Sequence, residues 1–399
     1  MRANKLFSIA LAALIVAFTG CGKKDSDVKS GVFVAGTENG FATLWVNGVA
    51  QRLGNGISPS AANSVFVSDN DVYVAGYEKE VATLWKNGMP QRIKGENSTS
   101  SSAASVFVSE GDVYVAGVED YNAILWKNGV TQCLSGEDWS RANSVYVSGN
   151  DVYVTGESPV YVDEIVKFDQ FVNKFNFVEK PDNGQYGLAK LWKNGVEQRL
   201  GNYEYNYYGG KDFDGLLAAS VFVSGNDVYV AGHKRNQQTG AIATLWKNGV
   251  AQDQYSYIIN NSVFVSGGDV YVAGRGLWLI DRVSGGGWRH ISVTELLKRG
   301  MDENRFRMAG FATLWKNGVP QLLLGNTNTD GNRSTDGNRS WSDDGSSAAG
   351  VFVSGDDVYV VGVEKNAQGK SIATLWKNGV AQSLSDGSND AAAVSVFVK

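Results

Sequence analysis

A Leu-Trp pair recurs seven times along this chain, its tryptophan falling at Trp45, Trp85, Trp126, Trp192, Trp246, Trp315 and Trp376. The closest copies lie about 40 residues apart, the length of one four-stranded propeller blade. Around each pair the chain repeats a single unit, seen most completely from Ser220 onward: SVFVSGNDVYVAG, a variable stretch, then ATLWKNGVAQ. Each unit reads as four short strands, such as Ser64 to Val67, Asp71 to Val74, Ala82 to Trp85 and Pro90 to Ile93. These segments are rich in Val, Phe, Tyr and Trp, which suit a pleated, packed surface. Segments one and two are apolar at nearly every position, as strands covered on both faces must be. Neighbouring blades would supply that cover.

Turn chemistry sets the pairing within a unit. Asn-Gly separates the third and fourth segments at Lys86-Asn87-Gly88 and five further Lys-Asn-Gly copies, with Val46-Asn47-Gly48 in the first. Asn-Gly between two strands marks a two-residue hairpin, because both central residues take positive φ. Gly149-Asn150, Gly225-Asn226, Gly267-Gly268 and Gly355-Asp356 join segments one and two, and a single turn type is expected for all four. The first unit begins directly at Val32-Phe33-Val34-Ala35-Gly36, without segment one, and the chain finishes on Ser395-Val396-Phe397-Val398, a segment one with nothing after it. The two fragments complete each other, and a closed ring hides strand edges. The predicted fold is all-β: a seven-bladed β-propeller of four-stranded blades over residues 31–399, closed by the C-terminal strand joining the N-terminal blade.

In each unit the Tyr-containing strand ends in a glycine (Gly76, Gly117, Gly156, Gly232, Gly274 and Gly362) and is followed by a strand bearing a Trp. This pattern resembles a kelch-like or WD-like repeat, although kelch repeats carry a glycine pair where this chain has one. The resemblance implies the fold and no activity, since propellers host many functions.

The N-terminus carries an address. Arg2 and Lys5 precede an apolar stretch of thirteen residues, Leu6 to Phe18. A membrane span needs roughly 20 apolar residues, so this stretch reads as an export signal. It ends in Phe18-Thr19-Gly20-Cys21, which resembles the lipobox of bacterial lipoproteins. The resemblance implies removal of residues 1–20, lipid attachment at Cys21 and a membrane partner through that anchor. The alternative is an ordinary secretory signal with an incidental cysteine. Residues 21–30 would form a polar tether. Lipoprotein sorting, as the resemblance implies it, points to the outer membrane because Asp does not follow Cys21; which side of that membrane is left open. Cys133 is the only other cysteine and reads as a strand residue, so the mature domain has no disulfide.

Up-and-down strands place both tight hairpins of each blade on one face of the disc and all length variation on the other. The insertions cover 157–188, 201–219, 275–310 and 325–349. Insertions in repeat proteins gather on one face, often the binding face. Their aromatic residues suit a protein partner or a sugar ring. Tyr203, Tyr205, Tyr207, Tyr208, Trp278, Trp288 and Trp341 are the candidate ligand contacts, with Trp139, Tyr255 and Tyr257 beside them. Helices are expected after Ser292-Val293-Thr294-Glu295, a capping-box pattern, and over Ile165 to Phe175, where a hairpin is the alternative. Asp330 sits where a calcium loop would place a ligand, but Gly337 occupies the position of the required acid, so no metal is assigned and a flexible polar loop is expected.

Materials for catalysis are few. His233 and His290 are the only histidines, both expected exposed in variable loops, and no phosphate-binding glycine loop or cofactor motif occurs. A net charge of −5 gives no nucleic-acid footprint. The leading reading is therefore a membrane-tethered, non-enzymatic binding module of the bacterial envelope, with a protein or glycan on the variable-loop face. One rival is a glycan-processing enzyme with carboxylates over the central channel. The other is a periplasmic scaffold for envelope assembly.

Overall fold

Alternating Val, Phe and Tyr in the repeat unit become antiparallel strands because each is bounded by a turn that only one or two residues can occupy. The computed structural model describes residues 30–95, 97–136, 139–160, 186–200, 215–236, 240–257, 259–282, 288–290, 306–325 and 346–399. The first blade contains β1 (Val32–Glu38), β2 (Phe41–Val46) and β3 (Val49–Arg52). The second contains β4 (Ser60–Ser68), β5 (Asp71–Glu78), β6 (Val81–Lys86) and β7 (Met89–Arg92); the third, β8 (Ser101–Ser109), β9 (Asp112–Glu119), β10 (Asn122–Lys127) and β11 (Val130–Cys133). The fourth has β12 (Arg141–Ser148), β13 (Asp151–Val160), β14 (Tyr186–Lys193) and β15 (Val196–Arg199); the fifth, β16 (Gly215–Ser224), β17 (Asp227–Asn236), β18 (Gly240–Lys247) and β19 (Val250–Tyr257). In the sixth, β20 (Ile259–Ser266), β21 (Asp269–Arg282), β23 (Phe306–Lys316) and β24 (Val319–Leu322) are joined by a short β22 (Trp288–His290) paired with β21. The seventh has β25 (Ser347–Ser354), β26 (Asp357–Lys365), β27 (Ser371–Lys377) and β28 (Val380–Ser383). The last strand, β29 (Ala391–Val398), returns to the first blade and pairs antiparallel with β1. The predicted fold and its closure are both present.

Seven apolar clusters form the core, one at each blade boundary. Trp126 of the third blade, for example, packs on Tyr73, Ala75 and Leu84 of the second. The seven repeat tryptophans are buried, as large apolar side chains between stacked sheets should be. The closing boundary is built like the rest, with Trp45 and Val34 against Leu375, Leu384 and Val396.

The turns follow the sequence with one refinement. In the Asn-Gly hairpins both residues take positive φ, as at Asn87 (52°) and Gly88 (78°). The turns between first and second strands are of two kinds. Gly267 and Gly268 are both positive, whereas in Gly149-Asn150, Gly225-Asn226 and Gly355-Asp356 only the first residue is. Asn and Asp in second place therefore keep the ordinary φ sign, and only the leading residue turns left-handed, a place that Asp69 (51°) fills in the second blade.

The single repeat glycine has a structural cause that the kelch-like pattern did not reveal. Each innermost strand carries a β-bulge, so that Ala62 and Asn63 together oppose Gly76. The bulge drives the strand backbone inward, and a Cβ on Gly76 would overlap the Ala61 carbonyl. Gly36, Gly117, Gly156, Gly232 and Gly362 meet the same obstruction.

Several stretches expected as loops are strand. Residues 275–282 and 306–311 extend β21 and β23 into one long hairpin, and Tyr255 and Tyr257 lie on β19. His233 is on β17, half-buried and paired between Leu217 and Ala243, rather than in an exposed loop; His290 is on β22. Cys133 ends β11, as expected, and is exposed. The helices expected near 165–175 and 292–300 lie outside the described residues. Among the described residues no helix is long and apolar enough to cross a membrane.

Candidate functional site

The innermost strands surround a central channel, and its lining is set by the bulge. Bulged residues Asn63, Asn143 and Asn261 alternate with Ala104, Ala219 and Ala349 around the variable-loop end, and Val394 takes the seventh place. Beneath them runs a tier of serines, broken by Gly350. The cavity between these tiers is about 140 Å³. Each asparagine Nδ2 donates to a carbonyl of the next blade: Asn63 to Ala103, Asn143 to Ala218 and Asn261 to Ala348, at 2.7–2.9 Å. Deeper still, Phe66, Phe107, Tyr146, Phe222, Phe264, Phe352 and Phe397 form a closed ring with centroids 4.7–4.9 Å apart. Tilted packing of this kind is favourable between aromatic quadrupoles and narrows the channel towards the tight-turn face. Burial pushes the Tyr146 phenol up from its ordinary pKa.

Among the described residues the channel holds no titratable group able to act as acid or base near neutral pH. Buried carboxylates on the variable-loop side have structural duties. Glu78 accepts the Asn55 N–H and Glu119 the Gly95 N–H, each fastening the loop that enters its own blade. Glu364 accepts the Thr374 hydroxyl at 3.1 Å. Burial raises the pKa of Glu157, while the Arg141 charge opposite it on β12 pulls the other way. The described residues contain no group of three or more His, Cys, Asp or Glu side chains able to hold a metal.

Of the sequence candidates, Trp278 is on β21, half-buried, and its indole N–H donates to Thr313 Oγ1 at 2.9 Å. That bond fixes the indole N–H within its own blade. Trp288 begins β22. Cys21, Tyr203, Tyr205, Tyr207, Tyr208, Asp330 and Trp341 lie outside the described residues.

The structure adds an aromatic pair on the same face. Tyr121 sits in the turn between β9 and β10, and Trp139 in the connection from β11 to β12. Their ring centroids are 4.2 Å apart at 41°. They are 55% and 49% exposed, unlike the buried repeat tryptophans. Both hold left-handed backbone, with φ of 66° and 69°. A bulky residue in that region is strained by about 1–3 kcal/mol, and such strain clusters at functional sites. Trp139 stood out in the sequence; Tyr121 did not, because its partner is eighteen positions away, in the connection that leaves the blade.

The opposite face is a set of repeated charge clusters. Lys86 Nζ lies 2.6 Å from Asp71 and over the Tyr73 ring, while Asn87 donates to the other Asp71 oxygen at 2.7 Å. The Lys86 ammonium and the Asn87 amide hold the Asp71 carboxyl below its ordinary pKa, and the Lys86 ammonium is raised in turn. Five further blades repeat this arrangement. These groups cap the hairpins.

No protein-family model matches this chain, and no curated protein sequence matches it. Solved structures similar to it include the computationally designed Ika8 protein, at 16% identity and TM-score 0.42 over 93% of this chain and 91% of that one. The β-propeller domain of the Trilobed protease from Pyrococcus furiosus is 8% identical with TM-score 0.45, covering 87% of each chain. BamB from Moraxella catarrhalis is 12% identical with TM-score 0.31, over 62% of this chain and 77% of its own. The propeller assignment rests on the strands and pairings of this chain itself, seven four-stranded units closed by β29.

Proposed function

We propose that this chain is a membrane-tethered, non-enzymatic binding module of the bacterial envelope, its ligand carried on the variable-loop face. The observation that carries this reading is the exposed Tyr121–Trp139 pair. Rigid, amphipathic aromatic surface gives contact area at little entropic cost, and it suits a sugar ring or a protein anchor residue. The tether is the lipobox-like segment ending at Cys21, and the outer membrane remains its proposed address. No acid or base lines the described channel, which favours binding over glycan hydrolysis.

The test is a binding screen of residues 21–399 on a glycan panel and on purified envelope proteins, beside a variant with Tyr121→Ala and Trp139→Ala. A partner lost at least about tenfold, roughly 1.4 kcal/mol, by a variant with unchanged melting supports the reading. Equal binding by both proteins removes the aromatic pair as the site.

A further inference from the structure

Both ends of the described chain sit on the tight-turn face. The Gly31 N–H donates to the Lys399 carbonyl at 3.2 Å, and the Lys399 N–H returns to Gly31 at 3.1 Å. The Val32 N–H is held by the side chain of Asn47, a tight-turn residue, at 2.9 Å. Because β1 is the second strand from the channel, the described chain begins on this face close to the propeller axis.

The same face carries an apolar rim. The residue after each Asn-Gly turn, from Val49 and Met89 round to Val380, is Val in six blades and Met in one, and all are 59–73% exposed. The other strongly exposed large apolar residues among those described, Ile57, Tyr121, Trp139 and Leu324, lie on the opposite face. Outer-strand positions this open would tolerate polar residues without loss of packing. Seven apolar side chains at one repeat position place an exposed apolar group on this face in every blade.

We propose that the tight-turn face is the membrane-facing surface of the protein, its apolar rim resting in the headgroup region of the bilayer and its variable loops pointing away. The orientation rests on the lipid-anchor reading given above. Ten residues, Cys21 to Ser30, can span at most roughly 33–36 Å. A chain leaving near the axis of one face holds that face to the bilayer. The six cluster lysines are each matched by an aspartate in their own blade, and Asp69, Glu110 and Asp356 add exposed acids in the tight turns, so the contact depends on apolar side chains and is not weakened by salt.

The test uses residues 21–399, which contain every strand, with a hexahistidine segment in place of the lipid on Cys21. The protein is held on phosphatidylethanolamine–phosphatidylglycerol vesicles containing nickel-chelating and headgroup-proximal spin-labelled lipid. With Cys133→Ser as background and Cys21 replaced by the tag, a fluorophore is placed at Val380→Cys on the rim or Ile57→Cys on the loop face. Quenching at least about threefold stronger at 380 than at 57, and not weakened by salt, is the expected result, since interfacial contacts reach only some 5–10 Å into the bilayer. Equal quenching, or stronger quenching at 57, overturns the proposal. The anchor is tested separately, by the mass of Cys21 in protein extracted from envelopes and by release of Cys21→Ser. Its failure would remove the natural tether and leave the vesicle result to judge the rim alone.

Discussion

The hydroxyl of Ser64 accepts the backbone N–H of Val106 at 3.2 Å, bridging two blades beside the channel. The same bond joins Ser105 to Val145, Ser144 to Val221, Ser220 to Val263, Ser262 to Val351 and, across the boundary after the closing strand, Ser395 to Val65. At the seventh boundary Gly350 stands in the serine position, and this latch is missing where the seventh blade meets the first. A Cβ on Gly350 would lie 2.9 Å from the Val394 carbonyl, so the glycine is required by close approach.

Removing a latch should cost little more than one ordinary hydrogen bond. Ser64→Ala is expected to lower stability by about 0.5–1.5 kcal/mol, because water in the channel can partly satisfy the freed N–H. Gly350→Ser, despite restoring the hydroxyl, should destabilise, since its Cβ must displace backbone. Denaturant unfolding of the two variants checks both; a stabilised Gly350→Ser would mean that the seam relaxes without cost.

Gly76 and Gly88 should respond differently to alanine. Gly88 needs only its positive φ, with open space around it, so Gly88→Ala should cost about 1 kcal/mol. Gly76→Ala would push against the Ala61 carbonyl in a bulge that organises the blade, and about 3 kcal/mol or more is expected. Melting temperatures of the pair decide it.

Lys190 is buried where most sibling blades have threonine, and its ammonium lies 2.6 Å from Glu197, which replaces a small residue in the siblings. Glu197→Ala should cost roughly 3–5 kcal/mol by weakening the compensation of a buried charge. Lys190→Thr with Glu197→Ala, restoring the sibling pattern, should recover most of that loss. Additive losses in this double-mutant cycle would count against coupling.

The six Asp–Lys clusters give a pH signature. Each aspartate is held below its ordinary value of 3.8 by the lysine that bonds it, so its stabilising share is present above that pH and is lost as pH falls through the depressed folded value. Each lysine is raised above 10.5, so its share is present below that pH and is lost as pH rises through the raised value. Melting temperature should therefore fall below about pH 4 and above about pH 10.5, and Asp71→Asn should flatten the acid limb slightly. The clusters are exposed, so high salt should shrink both effects. A salt-independent acid limb would count against the clusters as its source.

The number of blades, the Asn-Gly hairpins and the split first blade were all legible in the amino-acid sequence. Each is encoded locally, by apolar alternation and by residues such as Asn87 and Gly88 that satisfy a turn on their own. The bulge, the serine latches and the seven-membered aromatic ring became apparent only in the tertiary structure. Ser262 reaches Val351 across 89 residues, and Phe66 meets Phe397 only because the ring closes. The same applies to the candidate site, where Tyr121 meets Trp139 of the connection leading to the next blade. Local chemistry determined the blade. The distance and angle between blades, which no single repeat contains, decided what faces the channel.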